Sequence, residues 1–247
     1  MHASYFVFEN EALANQNNWR ESKNYLDING PWKFKYVDSP NDLPKDFEKT
    51  DYNDKSWDNF KIPASWDVNG YGFPVYVNTS YDFDYLMAPN PPFVPTNYNP
   101  TGVYRKEITI DKSWEGKDIF LHIGTAKSNL TVWVNGVYVG YGEDGKLPSE
   151  FKLNKYVKTG KNSIVLKVMK WNDGSYLECQ DMWRMSGITR DSYLVARNKA
   201  HLNDFEIIPD LDANYVNGTL KITTDFSDLD KKESYNFEVQ LKDNGQV

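Results

Sequence analysis

Between Trp171 and Asp191 the chain reads WNDGSYLECQDMWRMSGITRD, a run that crowds acids, amides, aromatics and two arginines into one short segment. Its apolar members Tyr176, Leu177, Met182, Trp183, Met185 and Ile188 follow neither the three-to-four spacing of a helix nor the alternation of a strand. The segment therefore reads as a loop held in shape by tertiary contacts. Gly174 and Gly187 allow tight turns. Asp173, Glu178, Asp181, Arg184 and Arg190 need partners, which internal ion pairs or an exposed polar site would supply. Hydrolysis of a sugar bond uses two carboxyl groups flanking it, and Glu143 with Asp144, or Glu178 with Asp181, are close acidic pairs. With 35 Asp and Glu in the chain, such pairs also arise by chance and are commonly solvated or ion-paired. Asp173 and Asn99 stand apart, because each lies on a loop shaped by Gly or Pro that holds a short polar side chain in place. A carboxylate accepts two hydroxyl hydrogen bonds, and an amide both donates and accepts. That chemistry suits a carbohydrate, or an alkali cation ligated by oxygen.

Other chemistries find little support. His122 sits at an alternate position of the strand-like FLHIG and reads as a strand residue, while His2 and His201 lie at an end and a boundary, so no His cluster forms for zinc or for a Ser-His pair. Cys179 is the single cysteine. It excludes an intrachain disulfide, and with Glu178 and Asp181 beside it the thiol is expected to be inert. A formal net charge of −7 without a basic stripe argues against nucleic acid. No apolar run is long enough to cross a bilayer, and the N-terminus lacks a signal-peptide pattern. The chain reads as soluble, and its compartment stays open: cytoplasmic, or periplasmic if a leader has been removed. Three Asn-X-Ser/Thr triplets, at Asn78, Asn129 and Asn217, settle nothing.

The elements that must hold these residues are strands. Residues 1–25 are polar and weakly patterned and read as an arm. In LDINGPWKFKYV, a turn at Asn29-Gly30-Pro31 introduces Trp32, Phe34 and Tyr36 at alternate positions of a half-buried strand, with Trp32 in the core. Pro63, Gly70, Gly72 and Pro74 cut the next stretch into loops and short strands, and the four prolines between Asn90 and Pro100 impose a long, rigid surface loop. VYRKEITI, DIFLHIG, NLTVWVNGVYVG, NSIVLKVMKW and SYLVAR read as strands, with Asn135-Gly136 as a two-residue hairpin turn. From about residue 200 three alternating segments, HLNDFEIIPDLD, YVNGTLKITTDFS and SYNFEVQLKDNGQV, look like strands of a second sandwich. They number fewer than half of an immunoglobulin-like domain's seven. The turn signal Lys242-Asp243-Asn244-Gly245 has nothing returning from it, so the second domain is expected to be truncated. No convincing helix of ordinary length appears, which excludes βαβ folds. The expected fold is all-β: a jelly-roll β-sandwich over 26–199, then an incomplete immunoglobulin-like β-sandwich over 200–247.

Three long motifs in order, NPPFVPTNYNPTGVYR, VNGVYVGYGEDGKLPSEF and WNDGSYLECQDMWRMSGITRD, closely resemble the N-terminal part of the LacZ-type β-galactosidases of glycoside hydrolase family 2. The resemblance starts near LDINGPWKFKY, continues through IPASWDVNGYGFPVYVN and runs past residue 200, so it covers nearly the whole chain. It implies a sugar-binding jelly roll, the start of an immunoglobulin-like domain, and a catalytic TIM barrel that lies outside this chain and carries both catalytic glutamates. It places Asn99, from the NPTG motif, and Asp173, from W-x-D-G-S-Y, in contact with the galactoside, with Asp173 also ligating Na+. It leaves room for Mg2+ in the complete enzyme, with no ion held tightly by this chain alone, and it implies a homo-oligomeric complete enzyme. Two departures are visible. Cys179 stands where the family generally has an acid, which alters a local charge network. The VPTNYNPTG loop is one residue longer than its common form, which bears on where Asn99 sits. Relatives that cleave glucuronides or mannosides share the jelly roll but are not expected to carry the NPPFVPT…NPTG loop.

The resemblance thus implies the substrate-orienting portion of a retaining β-galactosidase, inactive without its barrel. Two other classes remain open from the residues alone. An autonomous carbohydrate-binding module would use the same aromatic-rich jelly roll, and sugar binding by the isolated chain would mark it. A structural or oligomerisation domain would show itself by its size in solution.

Overall fold

The fold, seen in a computed structural model, is described for residue 3 and residues 5–242; His2 and the Asp243–Gly245 part of the terminal turn signal lie outside these residues. The only α-helix among them is α1 (Glu11–Gln16), capped by Asn10 accepting from the Leu13 amide. The strands run β1 (Tyr25–Asp27), β2 (Gly30–Val37), β3 (Asp58–Ile62), β4 (Ala64–Ser65), β5 (Val75–Val77), β6 (Thr101–Ile110), β7 (Asp118–Ile123) and β8 (Asn129–Val134). They continue as β9 (Val137–Glu143), β10 (Ser149–Lys152), β11 (Gly160–Met169), β12 (Met182–Arg184), β13 (Gly187–Ile188), β14 (Ser192–Arg197), β15 (His201–Leu211) and β16 (Gly218–Ser227). No helix among the described residues is long and apolar enough to cross a membrane.

Two antiparallel sheets form the sandwich, one ordered β1-β14-β7-β10 and the other β3-β2-β6-β11-β8-β9. The alternation that makes each strand half-buried also aims its apolar face inward. Trp32 and Phe34 of β2, Tyr104 and Ile108 of β6, and Leu166 and Val168 of β11 meet Leu121 and Ile123 of β7 and Leu194 of β14 in one core. The architecture is the expected all-β jelly-roll class. Asn135 and Gly136 both take positive φ, 52° and 79°, as a two-residue turn between right-twisted strands requires, and Val134 pairs with Val137 across it.

The chain divides into two compact units, Val7–Ala196 and Met1–Phe6 with Arg197–Val247. In the second, β15 and β16 pair as a hairpin from His201↔Ser227 to Leu211↔Gly218. The third segment expected as a strand, from Ser234, forms no ladder over its described part. Alternation specifies a face but not a neighbour, and a strand exists only where another backbone pairs with it. Ala3 and Tyr5 belong to this unit as well: the Ala3 amide donates to Asp204 Oδ1 at 2.8 Å, and the Tyr5 hydroxyl donates to the Leu202 carbonyl.

Candidate functional site

Asn99 meets the backbone of Trp171, two residues before Asp173. β6 and β11 pair in register from Gly160↔Ile110 to Met169↔Thr101, so the residue preceding β6 and the residues following β11 emerge side by side. Asn99 uses this proximity. Its Nδ2 donates to the Trp171 carbonyl at 2.9 Å and its Oδ1 accepts the Trp171 amide at 3.0 Å. The side chain is only 1% exposed, so one donor and one acceptor of the amide brace the start of the 171–191 loop. Trp171 is buried too, with its indole N–H on Asp82 Oδ2 at 2.9 Å and its ring edge-on to Phe83.

Asp173 follows two residues later as the first residue of a 3₁₀ turn, Asp173–Tyr176. The turn is capped reciprocally: the Asn172 amide donates to Ser175 Oγ at 3.1 Å, and Ser175 Oγ donates to Asn172 Oδ1 at 3.2 Å. Asn172 is buried while Asp173 is exposed, so the cap holds the backbone and leaves the carboxylate facing outward. No described residue gives that carboxylate a hydrogen bond or ion pair. Beside it, the Tyr141 hydroxyl donates to Glu143. Burial, that hydrogen bond and the Asp173 charge all push the Tyr141 hydroxyl well above its ordinary range, so it stays protonated and able to donate. Tyr176 ties in the proline-rich loop: its hydroxyl donates to the Phe93 carbonyl and accepts the Asn90 amide at 3.1 Å.

Two short ladders complete the support. β12 pairs with β5, Met182↔Val77 to Arg184↔Val75, and β13 pairs with β4, Gly187↔Ser65 and Ile188↔Ala64. The loop is therefore irregular but not loose, as its lack of periodicity implied. Its partnered charges meet backbone groups and a hydroxyl rather than forming the internal ion pairs that were one of the two expectations. Arg184, 5% exposed, donates to the carbonyls of Glu178 and Gln180 and to Cys179 Sγ. Glu178 Oε1 accepts the Gly145 amide, Asp181 accepts from the Tyr76 hydroxyl, and Arg190 donates to the Lys146 carbonyl. A sequence displays charges, but not the carbonyls that a turn rotates toward them.

Of the acidic pairs weighed as catalytic candidates, Glu143 and Asp181 accept tyrosine hydroxyls, Glu178 accepts a backbone amide and Asp144 caps its own turn. Asp144 Oδ1 accepts the amides of Lys146 and Leu147, at 3.0 and 3.1 Å. His122 is a strand residue stacked on Tyr193 at 4.4 Å and lies 4.0 Å from Glu150. Among the described residues no group of three or more His, Cys, Asp or Glu stands together as a metal site. Asp173 is a hard oxygen donor of the kind an alkali ion takes, and it offers one ligand rather than a shell. Asp67 and Lys170, absent from the sequence reading as site residues, form a buried ion pair of 2.6 Å under the loop. Their signal was the Trp-Asp of IPASWDVNGYG and the Lys directly before the WNDGSY motif.

Comparison with known proteins bears on the family and the fold. Residues 25–198 match the family "Glycosyl hydrolases family 2, sugar binding domain". A β-galactosidase of Priestia megaterium is 34% identical over 98% of this chain and 24% of its own length. One of Vibrio vulnificus is 41% identical over 87% of this chain and 20% of its own. The chain thus spans about a fifth to a quarter of these curated relatives. Among solved structures, a Bacteroides vulgatus β-glycosidase superposes with a TM-score of 0.61 at 24% identity, covering 84% of this chain and 24% of that one. A β-glucuronidase of an uncultured Clostridium sp. gives 0.63 at 15%, covering 92% and 36%. At those identities the likeness is one of fold. The sandwich that carries Asn99 and Asp173 belongs to the sugar-binding domain family of the family 2 glycosyl hydrolases.

Proposed function

We propose that this chain is the substrate-orienting N-terminal portion of a retaining β-galactosidase that acts on terminal, non-reducing β-D-galactosides. The observation that carries the reading is Asp173: an exposed carboxylate with no partner among the described residues, set on a capped turn whose backbone is braced by Asn99. Such a group is free to accept two sugar hydroxyls, and the brace fixes where it does so. Asn99, 1% exposed and bound to the Trp171 backbone, serves the site through that brace rather than by meeting the sugar itself. The Asp173 carboxylate would also give one oxygen to a sodium ion whose other ligands come from outside this chain, and the ion would supply a fixed positive charge near the sugar. The acid and nucleophile belong to a catalytic portion beyond these residues. The relatives named β-galactosidase, at 34% and 41% identity, support the galactoside over other sugars.

Hydrolysis of nitrophenyl β-galactoside tests this. The longer protein carrying the chain should be active, and the 247-residue chain alone should not exceed a matched blank. Replacing Asp173 with Ala in the longer protein removes a charged hydrogen-bond partner of about 1.5–3 kcal/mol. That should lower kcat/KM by about one to two orders of magnitude. Activity of the isolated chain, or an unchanged kcat/KM in the variant, contradicts the proposal.

A further inference from the structure

The two ends of the Asp173 loop converge on a single buried carboxylate. Asp67 Oδ1 accepts the Lys170 ammonium at 2.6 Å, and Asp67 Oδ2 accepts the Ser186 amide at 2.6 Å. Lys170 stands immediately before Trp171, at the departure of the loop, and Ser186 stands at its return. Three further bonds fix the clasp: Lys170 Nζ reaches the Arg184 carbonyl at 3.4 Å, the Lys170 amide donates to the Pro100 carbonyl at 2.8 Å, and the Trp66 amide donates to the Ser186 carbonyl at 3.1 Å. The side chains of Asp67 and Lys170 are 1% and 6% exposed, so neither reaches a ligand. Within the loop, Arg184 grips the turn at Glu178, Cys179 and Gln180.

We infer that Asp67 is the positioning residue for Asp173, an inference that rests on the reading of Asp173 as a substrate-orienting group. A buried ion pair contributes little net stability, because removing both charges from water offsets most of their attraction. What this pair does supply is geometry. Charged hydrogen bonds are short and directional, and one carboxylate shared by both ends fixes the span of the loop and the direction in which its capped turn presents Asp173. An apolar pair of equal volume would fill the same space without setting that span.

Hydrogen exchange and kinetics test this in two variants, Asp67→Asn and the double variant Asp67→Asn/Lys170→Met, which leaves no lone buried ammonium. In the 247-residue chain, loop amides between Asp173 and Arg184 should exchange at least about tenfold faster than in the wild type, while amides of β6 and β11 keep their protection. In the longer protein, kcat/KM on nitrophenyl β-galactoside should fall about tenfold, and far less when Asp173→Ala is already present, since two residues acting through one contact do not add. Wild-type loop exchange in a folded variant overturns the inference. So does unfolding of both variants, seen as lost protection in β6 and β11, which assigns the pair to stability alone. If Asp173→Ala leaves kinetics unchanged, the functional reading fails instead, and the exchange result still decides the role of Asp67.

Discussion

Asn99 shows how a side chain can be found by sequence and still be doing something sequence does not show. A short polar residue on a proline-shaped loop pointed to ligand recognition, whereas in the fold one face of its amide is spent on the Trp171 backbone. The Asn99→Ala variant leaves the Trp171 N–H and C=O buried without those partners, at about 1–3 kcal/mol each. At roughly 2–4 °C per kcal/mol for a domain of this size, calorimetry should register a drop of at least about 5 °C in melting temperature. An unchanged melting temperature would show that the brace is dispensable. By contrast the exposed loop position of Asp173, without partners among the described residues, was legible, because an Asp-Gly pair in an aperiodic segment is a local feature. Arg184 was visible as a charge needing partners, but its partners are the carbonyls of Glu178 and Gln180. Backbone direction within an aperiodic loop follows from contacts far away in the chain.

Among the elements, what depended on near neighbours was readable and what depended on distant ones was not. Alternation in GPWKFKYV and the Asn135-Gly136 pair specified β2 and the β8–β9 hairpin. Nothing local announced that β5 would pair with β12, or β4 with β13, and those two small ladders carry the Asp173 loop. Gly102 of the NPTG motif has the same long-range origin. A Cβ on it would stand 2.5 Å from Trp66 Cζ3 and 2.8 Å from Phe34 Cε2, both rings being fully buried and unable to yield. Gly102→Ala should therefore cost about 1–3 kcal/mol through overpacking, seen as a lower urea midpoint with an unchanged slope. Because Trp66 adjoins Asp67, its displacement should also loosen the loop amides. A variant as stable as the wild type would mean that the β6 backbone can move away from Trp66 at little cost.

At the scale of the molecule, burial is unevenly shared. Every fully buried apolar side chain among the described residues lies between Ile28 and Ala196, within the Val7–Ala196 unit. The β15–β16 hairpin has the alternation of a sandwich strand pair, yet Ile207 and Leu211 remain 50% and 52% exposed. Its sequence specifies faces for a core that these two strands cannot enclose. A two-stranded hairpin is marginal in water, since half of each strand's backbone groups and most of its apolar face stay solvated. The two units should therefore differ sharply in protection. In the 247-residue chain, amides of β15 and β16 should exchange within minutes under native conditions, while those paired between β6 and β11 should persist at least about a hundredfold longer. Equal protection in the hairpin and in β6–β11 would show that β15 and β16 draw stability from contacts beyond their own pairing, and that the sandwich core does not mark the limit of cooperative folding.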